Sequence, residues 1–160
     1  MEIRPATAAD WPSIAPILAA IVADGETYAY PDDEPTLRAI WHEPPPALTL
    51  VAVDDGGTVL GSAKLGPNRP GRGAHVATAS FIVAPAARGR GVGRALGVDV
   101  LGRARAAGYA AMQFNAVVET NTAAVNLWRD LGFEVVGTVP GAFESRRHGR
   151  VGLHVMYRRL

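Results

Sequence analysis

Cysteine is absent from the 160 residues. That excludes disulfides, thiolate catalysis and Cys-based metal sites, and it fits a reducing, cytoplasmic setting. Lysine is almost absent too: Lys64 is the only one, and the other basic residues are arginines. The formal charge is +1, so no global field points to nucleic acid or to an acidic surface. Long apolar runs are missing. The longest, 14–23 and 78–87, are far too short to span a bilayer. Met1–Pro5 lacks the apolar core of a secretion signal. No internal repeat and no tract long enough to be an interdomain linker occurs. A membrane partner and a second domain are therefore not expected, and residues 1–160 are read as one domain.

At 48% hydrophobic residues the chain can bury a core. The patterning predicts seven strands and four helices. Strands are expected at 2–6, 48–54, 58–65, 74–83, 109–118, 133–139 and 151–158. A capping box, Thr7-Ala8-Ala9-Asp10, precedes a helix whose Trp11, Ile14, Leu18, Ile21 and Val22 recur at helical spacing. A short second helix follows Pro35 and is stopped by Glu43-Pro44-Pro45-Pro46. Further helices are expected at 92–107 and 120–131, and 141–149 reads as a basic loop. Strands come in hairpins early and alternate with helices later, which argues for a mixed α/β sheet with helices on both faces.

The central signal is the segment Arg88-Gly89-Arg90-Gly91-Val92-Gly93-Arg94 between an apolar strand and a helix. Alternating glycines let the backbone turn tightly and approach a bulky anion. A helix that starts there aims unpaired amides and its positive dipole end at the same place. Three arginines add charge with a fork suited to phosphate. A P-loop nucleotide site does not fit, because no Gly-Lys-Ser/Thr end follows. A dinucleotide site fits poorly: Gly91, Gly93 and Gly97 are spaced as a variant of that motif, but no β-α-β unit with a following acidic residue begins there. A plain strand-to-helix turn would leave the interleaved arginines unexplained.

At these residues the chain resembles the GNAT acetyltransferases, whose Arg/Gln-x-x-Gly-x-Gly/Ala motif is filled by Arg88, Gly91 and Gly93. The second mark of that family is matched by Asn121-Thr122-Ala123-Ala124, Trp128 and Gly132-Phe133. The element order resembles the whole GNAT fold. The resemblance implies a mostly antiparallel seven-stranded sheet splayed between strands four and five and flanked by four helices. It implies acetyl-CoA as cosubstrate and no metal. The pantetheine would pair with the backbone of Phe81, Ile82 and Val83, and a β-bulge near Val83 would free an N–H for the thioester carbonyl. Arg88, Gly89, Arg90, Gly91, Val92, Gly93 and Arg94 would hold the pyrophosphate, and Asn121 would reach the pantetheine or simply cap its helix.

The catalytic groups are less conventional. Trp128 stands where a tyrosine proton donor is common in the family. Its indole N–H can support a thiolate but cannot yield a proton, and its place on an apolar helix face also suits packing. The strand before the glycine loop carries no carboxylate. Glu26, in the loop after the first helix, is the leading candidate base, with Tyr28 beside it. Glu119, Glu144, His75 and His154 are the others. Asn115, polar amid β-formers, is a candidate for acceptor binding or for bonding the sheet backbone. The stretch Phe114 to Trp128 resembles the phosphinothricin and proline-analogue acetyltransferases, which implies a small amino- or imino-acid acceptor. Alternatives are a protein N-terminal or lysine acetyltransferase and a non-catalytic acyl-CoA sensor. A nucleic-acid site at Arg146, Arg147, His148 and Arg150 lacks interleaved aromatics. An exposed C-terminal strand edge would permit a homodimer.

Overall fold

A computed structural model describes residues 1–160. The elements run β1 (Glu2–Pro5), α1 (Trp11–Asp24), α2 (Glu34–Trp41), β2 (Leu48–Val53), β3 (Val59–Pro67), β4 (Val76–Val83), α3 (Val92–Ala106), β5 (Ala111–Val118), α4 (Thr122–Asp130), β6 (Glu134–Ser145) and β7 (Gly149–Arg159). They form one seven-stranded sheet in the order β1-β2-β3-β4-β5-β7-β6. Every neighbouring pair is antiparallel except β4 and β5. No helix is long and apolar enough to cross a membrane.

Two apolar layers sandwich the sheet. On one face α1 and α2 bury Trp11, Ile14, Leu18, Leu37 and Trp41 against Val51 and Ile82. On the other, α3 and α4 bury Leu96, Val100 and Trp128 against Met112, Phe114 and Met156. Local chemistry sets the element ends. Asp33 caps α2 by accepting from the Thr36 N–H at 3.0 Å. The expected capping box closes a 3₁₀ turn, Ala8–Asp10, directly before α1. There Asp10 accepts from the Thr7 N–H at 2.7 Å and takes a two-pronged bond from Arg4 at 2.8 and 2.9 Å. These bonds, the Arg4 fork first, hold its carboxyl far below the ordinary range and pin β1 to the start of α1.

The splay between β4 and β5 positions everything that follows. The two strands pair only at Val76–Ala111 and Ala77–Met112, then separate. The β3–β4 register is unbroken from Pro67–Ala77 to Gly61–Val83. Ala84 N–H bonds Leu60 O and Asn68 N–H bonds Val76 O. Antiparallel alternation between those two anchors turns the backbone groups of Thr78, Ser80 and Ile82 toward β3. Those of Ala79, Phe81 and Val83 face the gap.

Three expectations are corrected here. The bulge anticipated near Val83 is absent, because β4 is regular; the gap itself is what leaves backbone groups unpaired. The bulge falls across the gap on β5, where Asn115 and Ala116 lie between the paired Phe114 and Val117. The segment 141–149 is not a loop. β6 continues through Phe143–Val151, Glu144–Arg150 and Ser145–Gly149 pairs, and only a short turn at 146–148 remains. β6, not the C-terminal β7 expected there, is the sheet's edge on that side, since β7 is paired on both sides; β6 is exposed over most of its length, so its pairing carried little apolar alternation to read.

Candidate active site

The glycine-rich loop begins with a 3₁₀ turn, Pro85–Ala87, whose Ala87 is buried. Gly89 and Gly91 both adopt positive φ, 73° and 80°. Gly91 is the N-cap of α3, and the first helical bond is Ala95 N–H to Gly91 O at 3.0 Å. The N–H groups of Val92, Gly93 and Arg94 therefore lack intrahelical partners and open on the same point. Buried Val92 and Leu96 anchor the helix end to the sheet. Gly97, spaced as part of a dinucleotide motif, serves packing: a Cβ there would lie 2.6 Å from Leu131 Cδ1 and 3.2 Å from the Trp128 ring.

A cavity of about 630 Å³ lies against this helix end. Phe81, Ile82, Val83, Arg88, Gly89, Gly91, Val92, Gly93, Arg94, Asn121, Trp128 and Glu26 all border it. Arg90 does not; it is exposed and lies on the Asp54 side of the loop. Arg94 is paired with Asp130 at 2.6 Å, both half exposed. Asn121 caps α4, its Oδ1 accepting from the Ala124 N–H at 3.2 Å, while its amide nitrogen faces Thr27.

A second cavity of about 320 Å³ adjoins the first. Tyr28 and Asn115 line this one, not the larger. The two share Thr27, Phe81, Asn121, Ala124 and Trp128. Trp128 is thus part of the common wall. It sits in an aromatic cluster, with ring centroids 4.6 Å from Phe81 and 4.9 Å from Phe114, and Phe114 stacks on Phe133 at 4.3 Å.

The sequence-predicted residues divide accordingly. Of Phe81, Ile82 and Val83, only Val83 presents unpaired backbone groups to the larger cavity. Ile82 is turned toward β3. The N–H and C=O of Phe81 are both taken by the Tyr28 hydroxyl, at 2.9 and 2.8 Å. Desolvation at that position raises the Tyr28 phenol above its ordinary pKa, so it stays protonated and acts as a clasp between the first loop and β4. Asn115 donates to Asn68 Oδ1 at 2.6 Å and accepts from Gln113 at 2.8 Å, bonding side chains and not the sheet backbone.

Glu26 is not placed as a free base. Its carboxylate accepts from Ser145 Oγ at 2.7 Å and from the Arg147 N–H at 3.0 Å. These bonds, Ser145 first, lower its pKa, which weakens its pull on a proton. Its evident role is to tie the turn at 146–148 to the loop after α1, assisted by Asp24–Arg147 at 2.8 Å. His75 is exposed at the start of β4. Glu119 is engaged by the Gly152 N–H, and His154 by Thr138. No three His, Asp or Glu side chains gather in a group able to hold a metal ion.

Sequence reasoning missed Arg147 and His148, which border the larger cavity, and Lys64, which borders the smaller. The first two sat in a stretch that read as a solvated loop. Lys64 stood out only as the sole lysine.

Residues 15–133 match the Acetyltransferase (GNAT) family. A GCN5-related N-acetyltransferase from Kribbella flavida superposes with a TM-score of 0.96 at 58% identity, over 99% of this chain and 97% of its own. A phosphinothricin acetyltransferase from Sinorhizobium meliloti, solved in complex with AcCoA, superposes with a TM-score of 0.84 at 29% identity, over 99% and 88%. The L-methionine sulfoximine/L-methionine sulfone acetyltransferase of Pseudomonas aeruginosa is 34% identical over 156 residues, covering 87% of this chain and 83% of that protein. An N-acetyltransferase of Schizosaccharomyces pombe is 33% identical over 105 residues, 66% of this chain, and the match spans 50% of the yeast protein.

Proposed function

The chain belongs to the GNAT acetyltransferase family, and from that premise we propose that it transfers the acetyl group of acetyl-CoA to the amine of a small molecule, an amino or imino acid. One observation carries this reading: a cavity lined by a helix N-terminus and a half-unpaired strand meets a smaller cavity at a shared aromatic wall. A donor with a phosphorylated end fits the first, and a compact acceptor fits the second. The names of the Sinorhizobium and Pseudomonas proteins support a small-molecule acceptor.

The residues present fit acetyl-CoA. The amides of Val92, Gly93 and Arg94, with Arg88, would hold the pyrophosphate. The backbone of Val83 would pair with the pantetheine as a strand edge does. Asn121 would contribute its amide nitrogen. When bound, the thioester supplies an activated acetyl group. The smaller cavity would bring an amine to the Phe81–Trp128 wall that it shares with the larger one. No Asp or Glu lines that cavity, so the acceptor enters as the free amine, its ammonium proton left in bulk solvent, and after attack the remaining N–H proton goes with the departing CoA thiolate. Residues 1–160 act as one catalytic domain in this reading, and Asn115 orients the acceptor with the N–H and lone pair left by its two side-chain bonds.

Two measurements test it. Calorimetry should show CoA binding, and a CoA-release assay should respond to free amino or imino acids. Asn115→Ala should raise the acceptor KM about tenfold, roughly 1.4 kcal/mol, and leave the acetyl-CoA KM unchanged. Acetylation of peptides with no activity on any free amino or imino acid would sink the acceptor assignment. Absence of CoA binding would sink the reading altogether.

A further inference from the structure

We propose that Lys64 is the specificity-determining residue of the smaller cavity, selecting acceptors that carry an anionic group such as a carboxylate. The inference rests on the acetyl-transfer reading above. Lys64 lies on β3 directly opposite Ser80 of β4, so the two side chains are neighbours on the face that carries α1 and α2. It borders the cavity together with Tyr30, Thr78 and Ser80. Arginine, histidine, aspartate and glutamate are all missing from that lining, which leaves Lys64 as its single charge.

The ammonium is held in place. Its side chain is only 16% exposed. It donates to Ile40 O at 2.7 Å and to Glu43 Oε1 at 2.5 Å. An ammonium has three donors, so one N–H is left. Glu43 does not border the cavity, and its side chain is 51% exposed, so solvent screens much of its charge. The Ile40 carbonyl and Glu43 thus fix the cation from outside and leave an unspent donor for the cavity.

A carboxylate entering the cavity would gain a charge-assisted bond from that donor. Hydroxyls of Thr78 and Ser80 stand on the same stretch of wall to complete its shell. A neutral analogue would gain less, and a second amine in that position would meet a fixed positive charge. A site that hydrogen-bonds one group of its substrate rejects analogues lacking it far better than an apolar pocket can.

The test compares acid and carboxamide forms of one acceptor in the CoA-release assay. The panel is free amino and imino acids, with L-methionine sulfone among the first, each beside its carboxamide. The native protein should favour the acid by at least ~30-fold in kcat/KM. Lys64→Met should raise the acid's KM ~30-fold, leave the carboxamide within ~2-fold, and leave the acetyl-CoA KM alone; Lys64→Arg should recover part of the preference. A readout independent of any variant uses the native protein: the acceptor's deaminated acid should compete with the acceptor, and the deaminated amide should not. Equal loss for acid and carboxamide in Lys64→Met, or a native protein that turns over carboxamides as well as acids, overturns the role of Lys64 and leaves acetyl transfer standing. No CoA release with any amine overturns the underlying reading instead.

Discussion

Replacing Gly91 with valine should weaken CoA binding by about two orders of magnitude, close to 2.7 kcal/mol, while the free protein stays folded. Gly91 sits at φ 80°, a conformation that costs an ordinary L-residue roughly 1–2 kcal/mol and a β-branched one more. A Cβ there would touch nothing within 4 Å, so the cost lies in the backbone conformation and not in contact at Cβ. The strain can be relieved only by rotating the backbone at the α3 N-cap. That rotation would carry the N–H groups of Val92 and Gly93 away from their common focus. A phosphate would then find the arginines but not the amides. Calorimetry on folded Gly91→Val is the measurement, with Arg88→Ala beside it. The arginine variant should lose about tenfold and lose less at high salt, since its contribution is partly screened. Native-like CoA affinity in Gly91→Val would mean that the α3 N-terminus is not the phosphate cradle.

Removing the Trp128 ring should be the costliest single change to stability in the site. Trp128 is 7% exposed and packs against Phe81, Phe114 and Phe133. Gly97 of α3 lies so close that any side chain there would strike the ring or Leu131. Trp128→Ala should therefore cost about 3–5 kcal/mol, the range for large-to-small core changes, and open the two cavities into one. Trp128→Phe keeps most of the packing and removes the indole N–H. If the ring only packs, its turnover number should match the native value, with a modest fall in melting temperature. A tenfold drop in turnover with acetyl-CoA affinity intact would assign the N–H to the departing thiolate, at about 1.4 kcal/mol.

How much of this could be read from the chain depended on distance along it. The glycine loop, the helix caps and the succession of strands and helices along the chain are local, written in turn residues and apolar spacing. The splay was legible only through resemblance, since nothing in Thr78–Val83 says that one edge will go unpaired. The smaller cavity was not legible. It is assembled from the first loop, β3, β4, β5, α4, β6 and β7. Its governing contacts span long separations, as with Tyr28 on Phe81 or Lys64 on Glu43. Glu26 shows the same limit: a carboxylate after α1 suggests a base, and only the fold brings Ser145 and the Arg147 N–H to it. Arg147 and His148 were hidden because a basic hairpin turn looks like any solvated loop until its partner is known.

The open seam between β4 and β5 has a thermodynamic consequence. A sheet normally completes its own ladder, but here the backbone of Ala79 and Val83 waits in the middle of the domain with no strand beside it. A ligand that pairs there would finish the sheet, and its binding energy would enter the folding equilibrium. At a free concentration a hundredfold above its Kd, such a ligand adds about 2.7 kcal/mol, a sizeable share of what holds a small domain together. The resistance of this protein to heat and denaturant would then be no fixed property of the chain; it would track the cosubstrate supply around it.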